Sequence, residues 1–363
     1  MVFSFSTTRS AIGVDIGSRY VKAAQLSYGR DGVAKLSAGL VLERESPAEV
    51  FSADEACRLM TVLDRRGFVG RELVATVPSE SLMTSLLTLP PRGSGAPLTE
   101  IATAEMARTH RVDADALEVA YWDLPSGAKP DVTPVMAAAC RHEHAEALLD
   151  ALEWPGFEVL ALDAEGWALC RAARTWMTAE QPLAAAIDIG WRGVNFVLLH
   201  GASVVYERTL GGTGMHALSE MIHREQALEQ PVIDYLLGQV GLSRDSDTVD
   251  PDDLRLAERL RGPLEQHVDA LVQELRLSVS YATHQYPNAT LDRLLLSGGG
   301  AMVRGLAEQL GQALEMEAVV MTPSAICQPT VRGLNESAEA SLSVALGLAM
   351  YPRQADGQSE EAA

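Results

Sequence analysis

One pattern of about fifteen residues occurs twice in this chain and opens two stretches of comparable length. Residues 12–26 read IGVDIGSRYVKAAQL, and residues 185–199 read AAIDIGWRGVNFVLL. Aligned on their aspartates, Asp15 falls on Asp188, Ile16 on Ile189, Gly17 on Gly190, Arg19 on Arg192 and Val21 on Val194. Each copy is an apolar run, a glycine turn and a second run, the pattern of a β-hairpin. Each is followed by a further turn and strand, LSYGRDGVAKLSAGLVLE in the first case and LHGASVVYERTLGGTG in the second. A short match within strand-like windows carries little weight alone. It gains weight because the two copies begin two roughly equal halves. The spacing predicts an α/β protein built from two related units.

The rest of the chain fills in around these hairpins. Residues 53–67 read as a helix, and 73–89 as strand, turn and strand. PPRGSGAP at 90–97 is a loop on its proline and glycine content. Residues 98–110 form a short amphipathic helix with Thr99 as its cap. Strands are expected at 117–124, 133–140 and 157–162, and helices at 142–153 and 163–178. The first half is thus expected over 1–182, with an αβ subdomain inserted at about 75–160. The second half is expected over 183–352, with a helical and acidic-loop subdomain at about 213–285. Within it, 214–226 and 230–240 read as helices, and SRDSDTVDPDD at 243–253 as an acidic surface loop. Residues 254–260 and 263–286 read as two helices split at Gly262-Pro263. Leu264, Val268, Leu271, Leu275 and Val279 define one buried stripe. Strand 293–297 runs into three glycines, followed by helices at 303–314 and about 337–350. Residues 353–363 are expected to be a disordered acidic tail.

The chain has 363 residues, is 47% hydrophobic and carries a formal net charge of −20. Such an acidic surface argues against non-specific binding to nucleic acid or anionic lipid. The start lacks the charged and apolar regions of a signal peptide, and no apolar run suits a membrane span. Cys57, Cys140, Cys170 and Cys327 are far apart and suggest neither zinc nor a disulfide framework. His142 and His144 are too closely spaced to share one helix face, so a surface helix start is the expectation. Trp154, Trp167 and Trp176 are expected to be packing residues.

Three places could carry chemistry. In the first hairpin, Gly17 lets backbone N–H groups approach phosphate oxygens, and Ser18 adds a hydroxyl donor. Asp15 would repel phosphate directly, so it would act through Mg2+ and its water shell. Lys22 faces either phosphate or solvent. Asp188-Ile189-Gly190 would clamp the same ligand from the other side. In LLLSGGGAMVRGL, Gly298, Gly299 and Gly300 end a strong apolar strand and either bring bare backbone against a flat or charged ligand or form a tight βα turn.

Two Asp-x-Gly hairpins followed by a late triple-glycine turn resemble the actin, Hsp70 and sugar-kinase superfamily. Within it, the chain is similar to the PilM family of type IV pilus assembly proteins, relatives of the cell-division protein FtsA. The stretches that carry the resemblance include VPSESLMTSLLTLP, LTEIATAEMAR, LDAEGWALCRAA, LGGTGMHAL and QELRLSVSYATHQYPNATLDRLLLSGGGAMVRGL. The resemblance runs from about residue 11 to residue 352. It implies an actin-like ATPase fold, with two RNase H-like halves around a nucleotide cleft and an αβ insertion in the first half. It implies ATP and Mg2+ as cofactors. Asp15, Gly17, Ser18 and Lys22 match the first phosphate loop, and Asp188 and Gly190 match the second. Gly211 and Gly212 match the turn over the phosphates, and Gly298, Gly299 and Gly300 match the adenosine motif. Asp15 and Asp188 would hold Mg2+ through water. Glu165, in the helix before Asp188, stands where this superfamily places its water-orienting acid; a solvated helix carboxylate is the other reading of it.

The resemblance also implies a role: a cytoplasmic scaffold, peripheral to the inner membrane through a PilN-like protein whose N-terminal tail it binds. The docking region would lie near residues 76–89 and 98–124, and self-association is compatible with it. An active ATPase or small-molecule kinase, and an FtsA-like filament, are the alternatives on the same fold. Two departures bear on the site. Trp191-Arg192-Gly193 stands where the second loop usually has small and hydroxyl residues. REQALEQPVIDYLL lacks the usual Ala-Glu-x-x-Lys, and Pro231 interrupts it. Arg192 and Arg224 are the candidates to compensate. ATP binding with weak or absent hydrolysis is the expectation.

Overall fold

A computed structural model describes residues 8–45, 50–125, 132–242, 251–287, 289–329 and 340–352. The expected acidic tail, most of the acidic loop and the first seven residues lie outside the described residues. The chain starts with β1 (Thr8–Ile16), β2 (Tyr20–Tyr28), β3 (Ala34–Glu43), α1 (Ala53–Arg65) and β4 (Glu72–Thr76). It then forms β5 (Leu82–Leu89), α2 (Leu98–His110), β6 (Leu117–Asp123), β7 (Thr133–Arg141) and α3 (His142–Leu152). β8 (Glu158–Asp163) and α4 (Glu165–Ala172) complete this part. The second hairpin supplies β9 (Leu183–Ile189) and β10 (Gly193–His200), extended by β11 (Ser203–Gly211). Helices α5 (Met215–Gln226), α6 (Gln230–Gln239) and α7 (Pro251–Gln285) follow. The chain ends with β12 (Arg293–Ser297), α8 (Leu306–Leu314), β13 (Glu317–Val320), α9 (Pro323–Ile326), β14 (Gln328–Pro329) and α10 (Ser343–Ala349).

The strands form sheets in the orders β14-β3-β2-β1-β4-β8, β11-β10-β9-β12-β13 and β5-β7-β6. The two larger sheets repeat one scheme. β1 pairs antiparallel with β2 and parallel with β4; β9 pairs antiparallel with β10 and parallel with β12. Side-chain alternation explains why each hairpin suits its sheet. Ile12, Val14 and Ile16 pack with α1 residues Leu59, Met60 and Leu63. Leu183, Ala185, Ile187 and Ile189 pack toward α5, α6 and α7. The opposite faces are small: Ala11 in β1, and Ala184 and Ala186 in β9, share one core with α4 and α10. These two helices therefore lie between the sheets. Asp15 and Asp188 continue the small-residue faces to the strand ends, and both are buried.

Close helix approach depends on missing side chains. A Cβ on Gly13 would fall against the carbonyl of Ala345, and one on Gly347 against the backbone of Ala168. α10 is thus wedged between β1 and α4. By chain position it belongs to the 183–352 segment, but its packing is on the first sheet, as is the pairing of β14 with β3.

The inserted sheet β5-β7-β6 packs one face against α2 through Leu87, Leu89, Met106, Val135 and Ala137. Trp122 ties it to the rest: its ring meets Trp167 edge-on at 4.9 Å, and its Nε1–H donates to Val204 O at 2.7 Å. Two local expectations are corrected. α2 begins after Pro97 with no side-chain cap, and Thr99 Oγ1 instead lies 3.5 Å from the Tyr121 hydroxyl. α7 continues through Pro263 as one helix. Losing a helical hydrogen bond at proline costs about 3 kcal/mol. Ala257, Leu260, Leu264, Val268, Leu271 and Leu275 stay in phase and buried on both sides of it. Each large apolar side chain returns about 1.5–3 kcal/mol on burial, so packing outweighs the local penalty.

Gly347→Ala tests the wedge. The added methyl has only backbone to displace, so urea or thermal unfolding should show a loss of about 1–3 kcal/mol. Unchanged stability would mean α10 does not sit this close to α4.

Candidate functional site

A cavity of about 940 Å³ opens between the two hairpins. Asp15, Gly17, Ser18 and Lys22 from the first hairpin line it, as do Asp188, Gly190, Trp191, Arg192 and Asn195 from the second. Both turns close alike: Gly17 N–H donates to Tyr20 O at 3.1 Å, and Gly190 N–H to Gly193 O at 3.0 Å. Glu165, Gly211, Gly299 and Gly300 also face the cavity. Gly212 and Gly298 do not line it. Gly298 adopts φ +84°, and a Cβ there would stand 2.6 Å from Ile189 O. Its glycine serves strand-to-strand approach rather than a ligand-facing wall. Gly300 is needed for a similar reason, since a Cβ would overlap the Ile189 side chain and stand 2.8 Å from Met215 Sδ.

The floor of the cavity is electrostatic. Asp15 and Lys22 are register partners on β1 and β2, and Lys22 Nζ donates to Asp15 Oδ2 at 2.7 Å. Burial alone would lower the Lys22 pKa, but the Asp15, Asp188 and Glu165 carboxylates more than offset it, so the ammonium is held charged. Burial raises the Asp188 pKa, with Asp15 adding to the rise, while Lys22 and the nearby Ser297 hydroxyl oppose it. Neither Asp188 Oδ1 nor Ser297 Oγ makes a hydrogen bond of ordinary geometry, although both are buried.

Glu165 opens α4 at the cavity wall. It is partly accessible, but protein surrounds it closely enough that desolvation pushes its pKa well up, helped by Asp188, Asp15 and Glu207. Its surroundings are thus a cavity wall rather than the open solvent of an exposed helix face. Asn195 Nδ2 donates to Glu165 Oε1 at 3.2 Å and to Glu207 Oε1 at 2.8 Å. Asn195 is not among the residues that the sequence motifs single out. Its signal was present: it occupies the position in the second hairpin that Lys22 occupies in the first, seven residues after each aspartate. Thr76 stands outside those motifs too; its Oγ1 accepts from Ile16 N–H at 2.9 Å and steadies the end of β1.

The mouth of the cavity is crossed by contacts between the halves. Arg19 forks onto Asp234 of α6 at 3.2 and 2.7 Å, and its guanidinium lies 4.6 Å from the Trp191 ring centre. Trp191 also packs against His216 at 5.3 Å. The bulky second loop is accommodated because Gly214 has no side chain; a Cβ there would overlap the Arg192–Gly193 peptide. Met215 and His216 N–H, at the start of α5, donate to Gly190 O and Trp191 O at 3.0 and 2.7 Å. Arg192 lines the cavity, whereas Arg224 is exposed at the end of α5 and away from it. Pro231 sits at the start of α6, where proline suits the first helical turn, and that helix brings Asp234, Tyr235 and Gly238 to the cavity.

Two halves of this kind, each a hairpin joined to a parallel strand and facing across a cleft, define an actin-like ATPase fold. Solved structures with the same architecture include a PilM-PilN type IV pilus biogenesis complex. It is 22% identical, with a TM-score of 0.74 over 94% of this chain and 98% of that one. The ethanolamine utilization protein EutJ from Carboxydothermus hydrogenoformans matches at 15% identity and TM-score 0.50, covering 95% of this chain and 90% of that one. The family model of the type IV pilus assembly protein PilM matches residues 13–235 and 255–353. The chain belongs to the PilM family. No helix among the described residues is long and apolar enough to cross a membrane.

The raised Glu165 pKa has a consequence with a definite sign. The folded state holds this proton more tightly than the unfolded chain, so Glu165 lowers stability as pH rises from the ordinary carboxylate range through its raised value. Glu165→Gln keeps the shape and the Asn195 contact without the charge. It should raise the melting temperature at pH 8. The gain should vanish below about pH 4, where the unfolded carboxyl is protonated too. A gain that does not change with pH would refute the assignment.

Proposed function

We propose that this protein is a nucleotide-binding scaffold of a type IV pilus or related secretion assembly platform, and that it captures the N-terminal tail of a PilN-like membrane protein. The observation that carries the nucleotide part is the cavity between two matched Asp-Ile-Gly turns, floored by Asp15, Lys22, Asp188 and Glu165. Family membership supports the platform role and favours it over the kinase and filament alternatives. The similar PilM-PilN complex supports the partner.

The ligand would be ATP. Gly17 and Gly190 would leave room for its phosphates, and Gly299 and Gly300 for its adenosine end. Gly211 would close from above, and Gly212 would act by letting that turn bend, its φ being +75°. The residues also fit Mg2+ held through water. Asp188 Oδ1 is buried without a partner, and a metal-bound water would donate to it. Among the described residues no three acids converge closely enough to ligate a metal directly. A hydrated Mg2+ would offset phosphate charge beside Asp15 and Asp188, which would otherwise repel it.

We infer slow turnover, a reading that the same electrostatics support. A general base must be ionised to take a proton from water. Glu165 is held toward its protonated form and engaged by Asn195. The protein is suited to hold nucleotide rather than consume it.

The partner tail would dock on the inserted unit, near residues 76–89 and 98–124. There β5 and β6 are the outer strands of a three-stranded sheet. A strand edge with adjacent apolar pockets suits an extended peptide. From that anchorage the protein would sit at the cytoplasmic face of the inner membrane. Titration calorimetry with a synthetic tail of the PilN-like partner should show binding at micromolar concentration, in the presence of ATP and Mg2+. Absence of heat at high micromolar peptide would overturn the scaffold assignment. Absence of ATP binding would overturn the cofactor assignment.

A further inference from the structure

The second hairpin lacks hydroxyl side chains where a phosphate would be received, yet it carries Arg192 at that place. Arg192 Nη1 lies 3.5 Å from Glu80 Oε1. The same Glu80 oxygen accepts from Ser18 Oγ at 3.5 Å. One carboxylate oxygen thus bridges the phosphate-loop serine of the first half and the loop arginine of the second. All three residues line the cavity.

Of the other cations that line the cavity, Arg66 is exposed at the end of α1, away from the second loop, and the remaining two are committed to partners. Lys22 is buried on Asp15 at 2.7 Å, with 9% of its surface exposed. Arg19 is forked onto Asp234 and stacked on Trp191. The Glu80–Arg192 pair is longer, and its side chains are 49% and 44% exposed. Exposed pairs of this kind are individually weak, whereas a guanidinium facing phosphate makes short, charge-assisted and often bidentate bonds. A phosphate arriving at the two loops would therefore gain more from Ser18 and Arg192 than Glu80 does.

We propose that Arg192 is the phosphate-recognising cation of the second loop, and that Glu80 is an internal anion which occupies the phosphate's donors until a ligand displaces it. The arginine replaces the missing hydroxyls: a charged donor stands where neutral ones usually do. This rests on the nucleotide assignment above and extends it to named residues of opposite effect. Glu80 competes with ligand, and Arg192 receives it.

The two residues can be separated by sign. ATP, ADP and adenosine are titrated, with Mg2+, into the full chain and into Arg192→Gln and Glu80→Gln, with heat as the readout. Arg192→Gln should weaken ATP and ADP by about tenfold. Glu80→Gln should tighten both by roughly threefold, a gain that misfolding cannot produce. Adenosine, which has no phosphate, should bind all three proteins alike. If wild type binds ATP but both variants match it within about twofold, the inference fails and the nucleotide assignment stands. An equal loss of adenosine affinity in Arg192→Gln would also overturn it, since the arginine would then be shaping the cavity rather than reading phosphate. If wild type binds neither ATP nor adenosine, the nucleotide assignment fails and this inference with it.

Discussion

Lys22 stands with its ammonium 2.7 Å from Asp15, in a setting shared with Asp188 and Glu165. Each buried ion costs several kcal/mol to desolvate, so such a group survives only where partners are close. The partners are close because of what the flanking strand positions lack. Ala11 and Gly13 lead to Asp15, and Ala184 and Ala186 lead to Asp188. Those small faces let α4 and α10 lie between the sheets and bring both aspartates to one place. With Glu165 held toward its protonated form, two aspartates still share one ammonium, and the cluster remains short of positive charge. The same packing that builds the interior thus leaves a cavity floor with an appetite for a cation.

The two halves are not joined by the interior alone. At the cavity mouth Arg19, from the first hairpin, meets both Asp234 of α6 and Trp191 of the second hairpin. Arg19 and Arg192 occupy equivalent positions in the two hairpins, and both reach across to the opposite half. A symmetrical motif has been turned into reciprocal contacts. These lie outside the buried cluster, where solvent weakens ion pairs. The cavity is therefore firm at its base and more easily rearranged at its rim, which suits the nucleotide-binding role proposed above.

Much of the architecture was legible because it rests on periodic pattern. Alternating apolar residues marked the hairpins, and the repeated Asp-Ile-Gly placed the cavity between them. Other features depended on partners distant in the chain. Nothing near Pro263 indicated that the helix would continue, because the compensation lies in a stripe packed against other elements. Glu165 could be read as solvated or enclosed; the enclosure comes from Asp188, Asn195 and Glu207, up to 42 residues away. The three late glycines looked equivalent, yet Gly298 faces Ile189 backbone while Gly299 and Gly300 face the cavity. Asn195 could have been found by extending the hairpin alignment past Val194 to Lys22.

The return of the last described segment to the first sheet also orders events in time. β14 adds to the edge of β3, and α10 fills the space above Gly13 and beside Ala168. During synthesis the hairpin, α1 and β4 emerge long before that helix exists. Until then the small-residue face of β1 has no cover, and the first half cannot finish packing. The second sheet, by contrast, has all its strands once β13 has left the ribosome. The half made first is thus completed last, and a chain cut short before residue 343 would carry an open seam through its centre.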